Sequence, residues 1–501
     1  MTAQGGASVT ALAITLAYLV AMVAIGAWSG RRTRTASDFF VAGRAAGLVR
    51  VGFGTMAAAF SGFVFVGGPG LTYRIGAASL WIVLPVGFTA ALLCLVAGGP
   101  LRRLAGVHEL FTVPDVLAAR YESRAVRAAA AVTILLGSIA YLAAQLLATG
   151  RLLEWVLGLR ASHGPTGLAV GIAVGLAVVL AYSVAGGMVA GLNTDVVQGA
   201  IMLATSVAIC LLAVRAVGGI PGMIEAVSSD PRFGAEFLDP FGGAAGGGAL
   251  ALFFLFGIGV LGQPHMVHKF LMLDDARHLR WMPVVVGGSQ AICLLTWIGV
   301  GLAVPALVAQ GRLAPLAVPD DATPAFLARF APEWVSGLAI AGVLAAIMST
   351  ADSLLNLGAA ALVRDLPRAF GRPVRNELRA GKIATLALGL GAGVAAWATD
   401  DLVALLGTFA FGTFAAGLGP ALVLGLHWDR VGARTAVAAI TVGTAGSLAL
   451  EWAGRGWLPA GVPPSAPALA ASTLVVLAGG CWKGSDARRR LDPATRSALR
   501  L

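Results

Sequence analysis

Apolar residues in this chain gather into thirteen long runs, at approximately 9–28, 48–71, 77–98, 127–156, 166–189, 195–216, 248–271, 281–309, 335–362, 383–399, 402–426, 435–454 and 465–482. A helix needs about 20 such residues to cross a bilayer. Open sheets cannot span lipid, and barrel strands are far shorter than these runs. The pattern predicts an all-α polytopic membrane protein of about thirteen transmembrane helices, numbered here as spans 1 to 13.

Two spans carry helix breakers in their interior. Span 2 reads Ala57-Ala-Ala-Phe-Ser-Gly-Phe-Val-Phe-Val-Gly-Gly-Pro-Gly70, and span 7 reads Phe256-Gly-Ile-Gly-Val-Leu-Gly-Gln-Pro-His265. Gly and Pro weaken a helix and free backbone groups, which inside a membrane need protein, water or a ligand as partner. The breaks lie five spans apart. Because five is odd, a second copy of such a unit inserts upside down, so matched breaks point to inverted repeats with a binding site at the midplane. Ordinary Gly-Pro kinks are the simpler alternative.

Span 9 adds a polar patch, Gly342-Val-Leu-Ala-Ala-Ile-Met-Ser-Thr-Ala-Asp-Ser-Leu-Leu-Asn356. At helical spacing Ala346, Ser349, Thr350 and Ser353 share one face, with Asp352 beside it. One reading has the hydroxyls bonding back to the preceding turn or across to neighbouring helices, with Asp352 at a wet end. The other has their oxygens holding a small hard cation such as Na⁺. A carboxylate at membrane depth is costly and is expected to face a cavity, a partner or an ion.

Composition adds topology and exclusions. The chain has 501 residues, 58% of them hydrophobic and 12% charged, with mean hydropathy +0.85, which excludes a soluble globular protein. With the N-terminus outside and the C-terminus inside, 27 of the 35 Lys and Arg fall in inside segments, while acidic residues divide evenly. That bias follows the positive-inside rule, so the net charge of +11 reports orientation and needs no nucleic-acid partner. The first run lacks a basic leader and reads as a retained span. Cys94, Cys210, Cys293 and Cys481 are isolated, and no zinc or disulfide pattern is present. His265 and His268 lack companion ligands and do not make a metal site. Thr112 or Asp115, flanking Pro114, is placed to start a short interfacial helix. The stretch Phe241–Gly248 reads as a flexible connection. No nucleophile–base set or cofactor motif supports an enzyme.

Several segments together carry a family likeness: Asp38-Phe-Phe-Val-Ala-Gly-Arg44, Gly67-Gly-Pro-Gly70, Tyr182-Ser-Val-Ala-Gly-Gly187, Thr194-Asp-Val-Val-Gln-Gly199, Gly262-Gln-Pro-His265 and Ala345-Ala-Ile-Met-Ser-Thr-Ala-Asp-Ser353. In this order and spacing the sequence resembles the sodium/solute symporter family, which includes bacterial sodium/proline and sodium/pantothenate transporters. The resemblance implies a LeuT-like fold of two inverted five-helix repeats in one transmembrane domain. Residues 1–46 would form a leading helix and loop, 47–217 the first repeat, 248–427 the second, and 428–501 two trailing helices with a basic tail. It further implies Na⁺-driven import of a small organic solute by alternating access in the inner (plasma) membrane. Na⁺ would be the coupling ion, with no cofactor and no obligatory protein partner. The family's sodium site matches Ala57, Phe60 and Ala346 through carbonyls and Ser349 and Thr350 through hydroxyls.

Ala59 stands where the proline type has an acidic residue, and Phe256 and Val260 stand where it has Trp and Tyr. Tyr141 matches the proline type, whereas Gln145 and Gly67-Gly-Pro-Gly70 look like the pantothenate type. A pocket of Ser61, Tyr141, Gln145, Phe256, Val260 and Gln263 is mostly apolar and suits a small organic acid, an amino acid or a pantothenate-like molecule better than a sugar. Asp352 is a candidate for coupling. Asp195, following Thr194 at the start of span 6, is either a second coupling residue or an acidic first-turn residue stabilised by the helix dipole. An H⁺-coupled symporter and a transporter-like sensor are the alternatives to Na⁺ symport.

Overall fold

In the computed structural model, the described residues are 7–241, 246–399, 402–453, 457–459, 461–481 and 491–501. Residues 242–245 of the glycine-rich connection and 482–490 of the basic tail lie outside them. Among the described residues every regular element is a helix, with one isolated bridge between Ala46 and Leu273. Among the described residues nine helices are long and apolar enough to cross a membrane, or up to eleven if each of two bent pairs counts as one span. A further apolar helix, Ser465–Cys481, is 17 residues long.

The helices that build the site are α1 (Val9–Gly30), α2 (Leu48–Ala59), α3 (Gly68–Ile75), α4 (Arg124–Val156), α5 (Gly167–Ala216), α6 (Gly246–Gly259), α7 (Pro264–Val267), α8 (Met282–Ala309), α9 (Glu333–Ala360), α10 (Glu377–Trp397) and α11 (Val403–His427). Both expected breaks occur. The chain leaves helical geometry at Phe60 (φ −103°, ψ 116°) between α2 and the turns that lead into α3, and the two halves bend by 46°. It does so again at Gln263 (φ −79°, ψ 102°) between the α6 segment and α7, with a bend of 43°. Gly and Pro at these points make the departure cheap.

The start of the first broken helix and the end of the second lie side by side. The Ala46 N–H donates to Met272 O (3.1 Å), and the Asp274 N–H donates to Ala46 O (3.0 Å). The two broken helices therefore run in opposite senses.

Helix α9 is the hub. Nearly every residue from Val335 to Ala360 is buried, because it packs on α1, α4, α5 and α10 together. A helix apolar on all sides belongs in the middle of a bundle. Helix α1 has an exposed outer face, as a lipid-facing helix should. Helix α5 contains two rods in one run. Gly187 adopts φ 53°, ψ −142°, and a Cβ there would meet Phe39 O at 2.5 Å. This is where the sequence places the turn between spans 5 and 6.

At the arginine-rich end, Thr112 caps the short helix Val113–Tyr121 by accepting from the Asp115 N–H (3.0 Å), as its sequence predicts. Asp115 is ion-paired to Arg364 (3.0 Å) and Arg127 (3.2 Å), and Arg364 reaches Glu377 (2.7 Å). This network ties the short helix to α4 and to the chain on either side of the α9–α10 loop.

At the opposite end, the α8–α9 loop packs along α3. The Thr323 hydroxyl donates to Phe65 O (2.7 Å), and Asp320 accepts from the Val403 N–H (3.0 Å). Burial raises the Asp320 carboxyl to about 6, above an ordinary value of 3.8. The folded protein therefore binds more protons than the unfolded chain between those values. Stability from this group is full below about pH 4 and is lost as pH rises through about 6. Asp320→Asn is expected to remove that slope, about 1–3 kcal/mol in all, read as flattened thermal stability between pH 4 and 7. An unchanged slope would assign it to another group.

Candidate functional site

The break in the first broken helix faces the polar patch of α9. The Ser349 hydroxyl donates to Ala57 O (2.8 Å) and lies 3.0 Å from Ala346 O. Thr350 Oγ1 lies 3.2 Å from Ala58 O, 3.2 Å from Ala346 O and 3.5 Å from Phe60 O. All five residues expected at a cation site thus converge, with the Ala58 carbonyl as an addition. Ala57 and Phe60 contribute because α2 ends there, leaving carbonyls without an intrahelical donor. The donor set is oxygen only and uncharged, which fits a hard monovalent cation better than a transition metal. Among the described residues no cluster of three or more His, Cys, Asp or Glu could hold a metal ion.

One turn further along α9 lies a charged cluster. Asp352 is buried, accepts from the Ser183 hydroxyl and from Asn356 Nδ2 (3.2 Å), and leaves its Oδ2 without a partner. The reading that put Asp352 at a wet helix end is overturned, because α5 packs directly over this position. Gly191 is a glycine for that reason: a Cβ there would collide with Asp352 Oδ2.

Asp195 also needs correcting. It does not open a helix. The rod resumes at Gly187, so Asp195 sits two turns inside it, beyond the reach of the terminal dipole. Its partner is Lys269, at 2.9 Å, and both side chains are 1% exposed or less. The turns following α7 carry Lys269 into the core, and Gly54 of α2 leaves room for the pair.

Beyond the break lies a cavity of about 70 Å³, room for several waters or a small solute. Tyr141, Phe256 and Val260 line it, as expected. Ser61, Gln145 and Gln263 stand behind it and hold the breaks. The Phe63 N–H donates to Ser61 Oγ (3.2 Å), and the Gly62 N–H donates to Gln145 Oε1 (2.9 Å). Gln263 Nε2 donates to Gly259 O (3.1 Å) and Phe411 O (2.9 Å). These amides attract attention in the sequence for the right reason, an unpaired backbone, but they satisfy it themselves.

Sequence reasoning missed Phe63, Gln290, Trp297 and Phe411, which also line the cavity. Phe256 stacks between Phe63 (5.5 Å) and Phe411 (4.4 Å), and Trp297 meets Phe63 edge-on (5.5 Å). Only the Gly67-Gly68 pair hinted at this packing. A Cβ on Gly68 would overlap the Trp297 ring, and one on Gly67 would press Ala404 N at 2.8 Å. Gly68→Ala is expected to displace Trp297 and to lower stability by about 1–3 kcal/mol through overpacking. Thermal unfolding in detergent measures it; an unchanged midpoint would mean the wall yields freely.

Residues 39–443 match the sequence model described as the sodium:solute symporter family. Among curated relatives, an osmoregulated proline transporter of Bacillus subtilis is 28% identical over 85% of this chain and 86% of its own. The sodium/pantothenate symporter of Escherichia coli is 28% identical over 93% and 95%. The sodium/proline symporter of Salmonella typhimurium is 26% identical over 88% and 87%. Among solved structures, a Na⁺-coupled sialic acid symporter in a substrate-bound outward-open state superposes with a TM-score of 0.72. It shares 21% identity and covers 94% of this chain and 98% of its own, a match of fold.

Proposed function

Because the chain belongs to the sodium:solute symporter family, we propose that it couples Na⁺ entry to import of a small organic solute through the site between α2 and α9. It is a multi-pass plasma-membrane transporter, not an enzyme. The observation that carries the ion assignment is the convergence of the Ser349 and Thr350 hydroxyls on the carbonyls freed at the break. Ala57, Phe60, Ala346, Ser349 and Thr350 supply the oxygens, with no carboxylate needed for a single positive charge.

The proposed topology has thirteen spans, the N-terminus outside and the C-terminus inside. Residues 47–217 and 248–427 are the inverted repeats of one transporter domain, with 1–46 leading and 428–501 trailing. Two antiparallel broken helices and an arginine-rich inner end support this arrangement. Na⁺ binds from outside, solute enters beside Tyr141, Phe256 and Val260, and the repeats rock to release both inward. A potential of 100 mV supplies about 2.3 kcal/mol per charge moved, near fiftyfold accumulation. The ion drives this only if it binds the two states differently. The aromatic lining favours an organic acid, an amino acid or a pantothenate-like solute.

Uptake of proline, pantothenate and short carboxylates into proteoliposomes, under a Na⁺ or a K⁺ gradient, tests the reading. Accumulation only with Na⁺ is expected; equal uptake in both overturns it. One observation favours H⁺ as a second reading, the unpartnered Asp352 Oδ2. It requires pH-driven uptake without Na⁺ that is lost in Asp352→Asn.

A further inference from the structure

A second cavity, of about 380 Å³, lies at the far end of α3. It falls within the size range of small-molecule sites and is several times larger than the central cavity. This is the end opposite the arginine-rich one, where the Leu316 N–H of the α8–α9 loop donates to Tyr73 Oη (3.1 Å). Two helix faces form its sides: Leu71, Arg74 and Ile75 of α3, and Leu405, Thr408 and Phe409 of α11, each at i, i+3, i+4 spacing. The loop before the helix Ser465–Cys481 closes a third side, and Pro459, Pro463 and Pro464 fix its backbone there. Ile82 lines both cavities, so the two are neighbours. Most of the polar lining is committed. The Thr408 hydroxyl donates to Ala404 O (2.8 Å), Glu451 is engaged within the protein, and Ser465 Oγ has no surface open to the cavity. Arg74 is different: it is exposed along this lining and has no hydrogen bond or ion pair among the described residues. Other arginines at this end are held. Arg160 is paired with Glu154 (3.4 Å), Arg232 with Asp230 (2.6 Å), and Arg312 donates to Ala216 O.

We propose that this cavity is a second binding site, for a small organic monocarboxylate. Arg74 holds the carboxylate, and the apolar body lies between the α3 and α11 faces. A guanidinium is always charged and pairs with a carboxylate through two parallel hydrogen bonds, which no other side chain of this lining can offer. Glu451, on another wall, disfavours a second negative charge and so restricts the ligand to one carboxylate. The three proline-fixed positions leave little to be ordered when the ligand enters. The role of the site rests on the symport reading: it is the outer station of the transported solute, one side chain, Ile82, away from the central cavity. It narrows the solute class to carboxylates with an apolar body.

The test places a reporter thiol in the cavity, Thr408→Cys, in the full chain reconstituted in nanodiscs of neutral lipid, which removes anionic headgroups as competitors. Its rate of alkylation by N-ethylmaleimide is measured. The chain bearing only Cys94, Cys210, Cys293 and Cys481 gives the background to subtract. Cyclohexanecarboxylate and 4-methylpentanoate are the probes, each compared with its own primary amide, which has the same shape and no charge. At least one acid is expected to halve the rate at a concentration about fivefold or more below its amide. Arg74→Gln is expected to remove that preference by weakening the acid alone, and Arg74→Lys to keep part of it. Leu405→Cys, on the same face, carries the same expectations should Thr408→Cys fail to fold. The proposal is overturned by a thiol that does not react, by acids that slow the reaction no more than their amides, or by a preference that survives Arg74→Gln. The assay needs neither Na⁺ nor transport. Its failure leaves Na⁺ coupling to the gradient experiment, and equal uptake with Na⁺ and K⁺ leaves the carboxylate site standing.

Discussion

Replacing Ser349 and Thr350 together by alanine is expected to abolish Na⁺-stimulated uptake while leaving the protein folded. In the proposed site each hydroxyl would supply one oxygen to a set of neutral donors, so no carboxylate would compensate for its loss. Hydrogen bonds to charged groups are worth about 1.5–3 kcal/mol each, and ion–oxygen contacts of this kind should not be weaker. Each single substitution is therefore expected to weaken apparent Na⁺ affinity by about tenfold or more, since about 1.4 kcal/mol is a factor of ten. Uptake against Na⁺ concentration in proteoliposomes gives the shift for the singles. The carbonyls of Ala57, Ala58 and Phe60 lose their hydroxyl partners in the double variant as well, so thermal unfolding must accompany the assay. Full Na⁺ stimulation in a folded double variant would place the ion elsewhere.

The largest effect on stability is expected at Lys269. Lys269→Met leaves the Asp195 carboxyl alone in the core, where both residues are 1% exposed or less, so it must keep an uncompensated charge or take up a proton. Removing one partner of a buried pair costs about 3–5 kcal/mol, because the remaining charge keeps its desolvation penalty and loses the attraction that offset it. Asp195→Asn combined with Lys269→Met removes both charges, and replacing a buried pair whole is often nearly neutral. The double variant is therefore expected to be more stable than Lys269→Met alone. Additive losses across the cycle would show that the two side chains are not energetically coupled. The pair joins the second rod of α5 to the second broken helix, one in each proposed repeat. The same cycle read by uptake then reports whether the pair stays closed through transport. Uptake that tracks stability alone makes it a structural tie.

Particular residues show where sequence reasoning reached. The two breaks were legible because Gly and Pro act locally: they change the cost of a helix at their own position whatever surrounds them. The alignment of Ala346, Ser349 and Thr350 was legible because helical spacing alone puts them on one face. The pairing of that face with Ala57 and Phe60 was available through the family likeness, and the geometry agrees with it. Ser61, Gln145 and Gln263 were picked out as polar groups near a break. Which way each amide turned depended on neighbours from other helices, and the backbone took the bonds.

By itself, then, the sequence determined that this chain is a helical membrane protein with two interrupted spans and a hydroxyl-bearing helix. Each of those properties follows from composition, periodicity or a local backbone preference. The tertiary structure decided what each polar group faces. Asp195 and Lys269 are 74 residues apart in the chain, and their contact is set by how two helices are rotated and how closely Gly54 lets them approach. Gln290 and Trp297 look like ordinary membrane-helix residues until α8 is turned toward the aromatic stack. A helix's periodicity tells which residues share a face, but the direction of that face comes from packing against the rest of the bundle, and on that direction the proposed solute site depends.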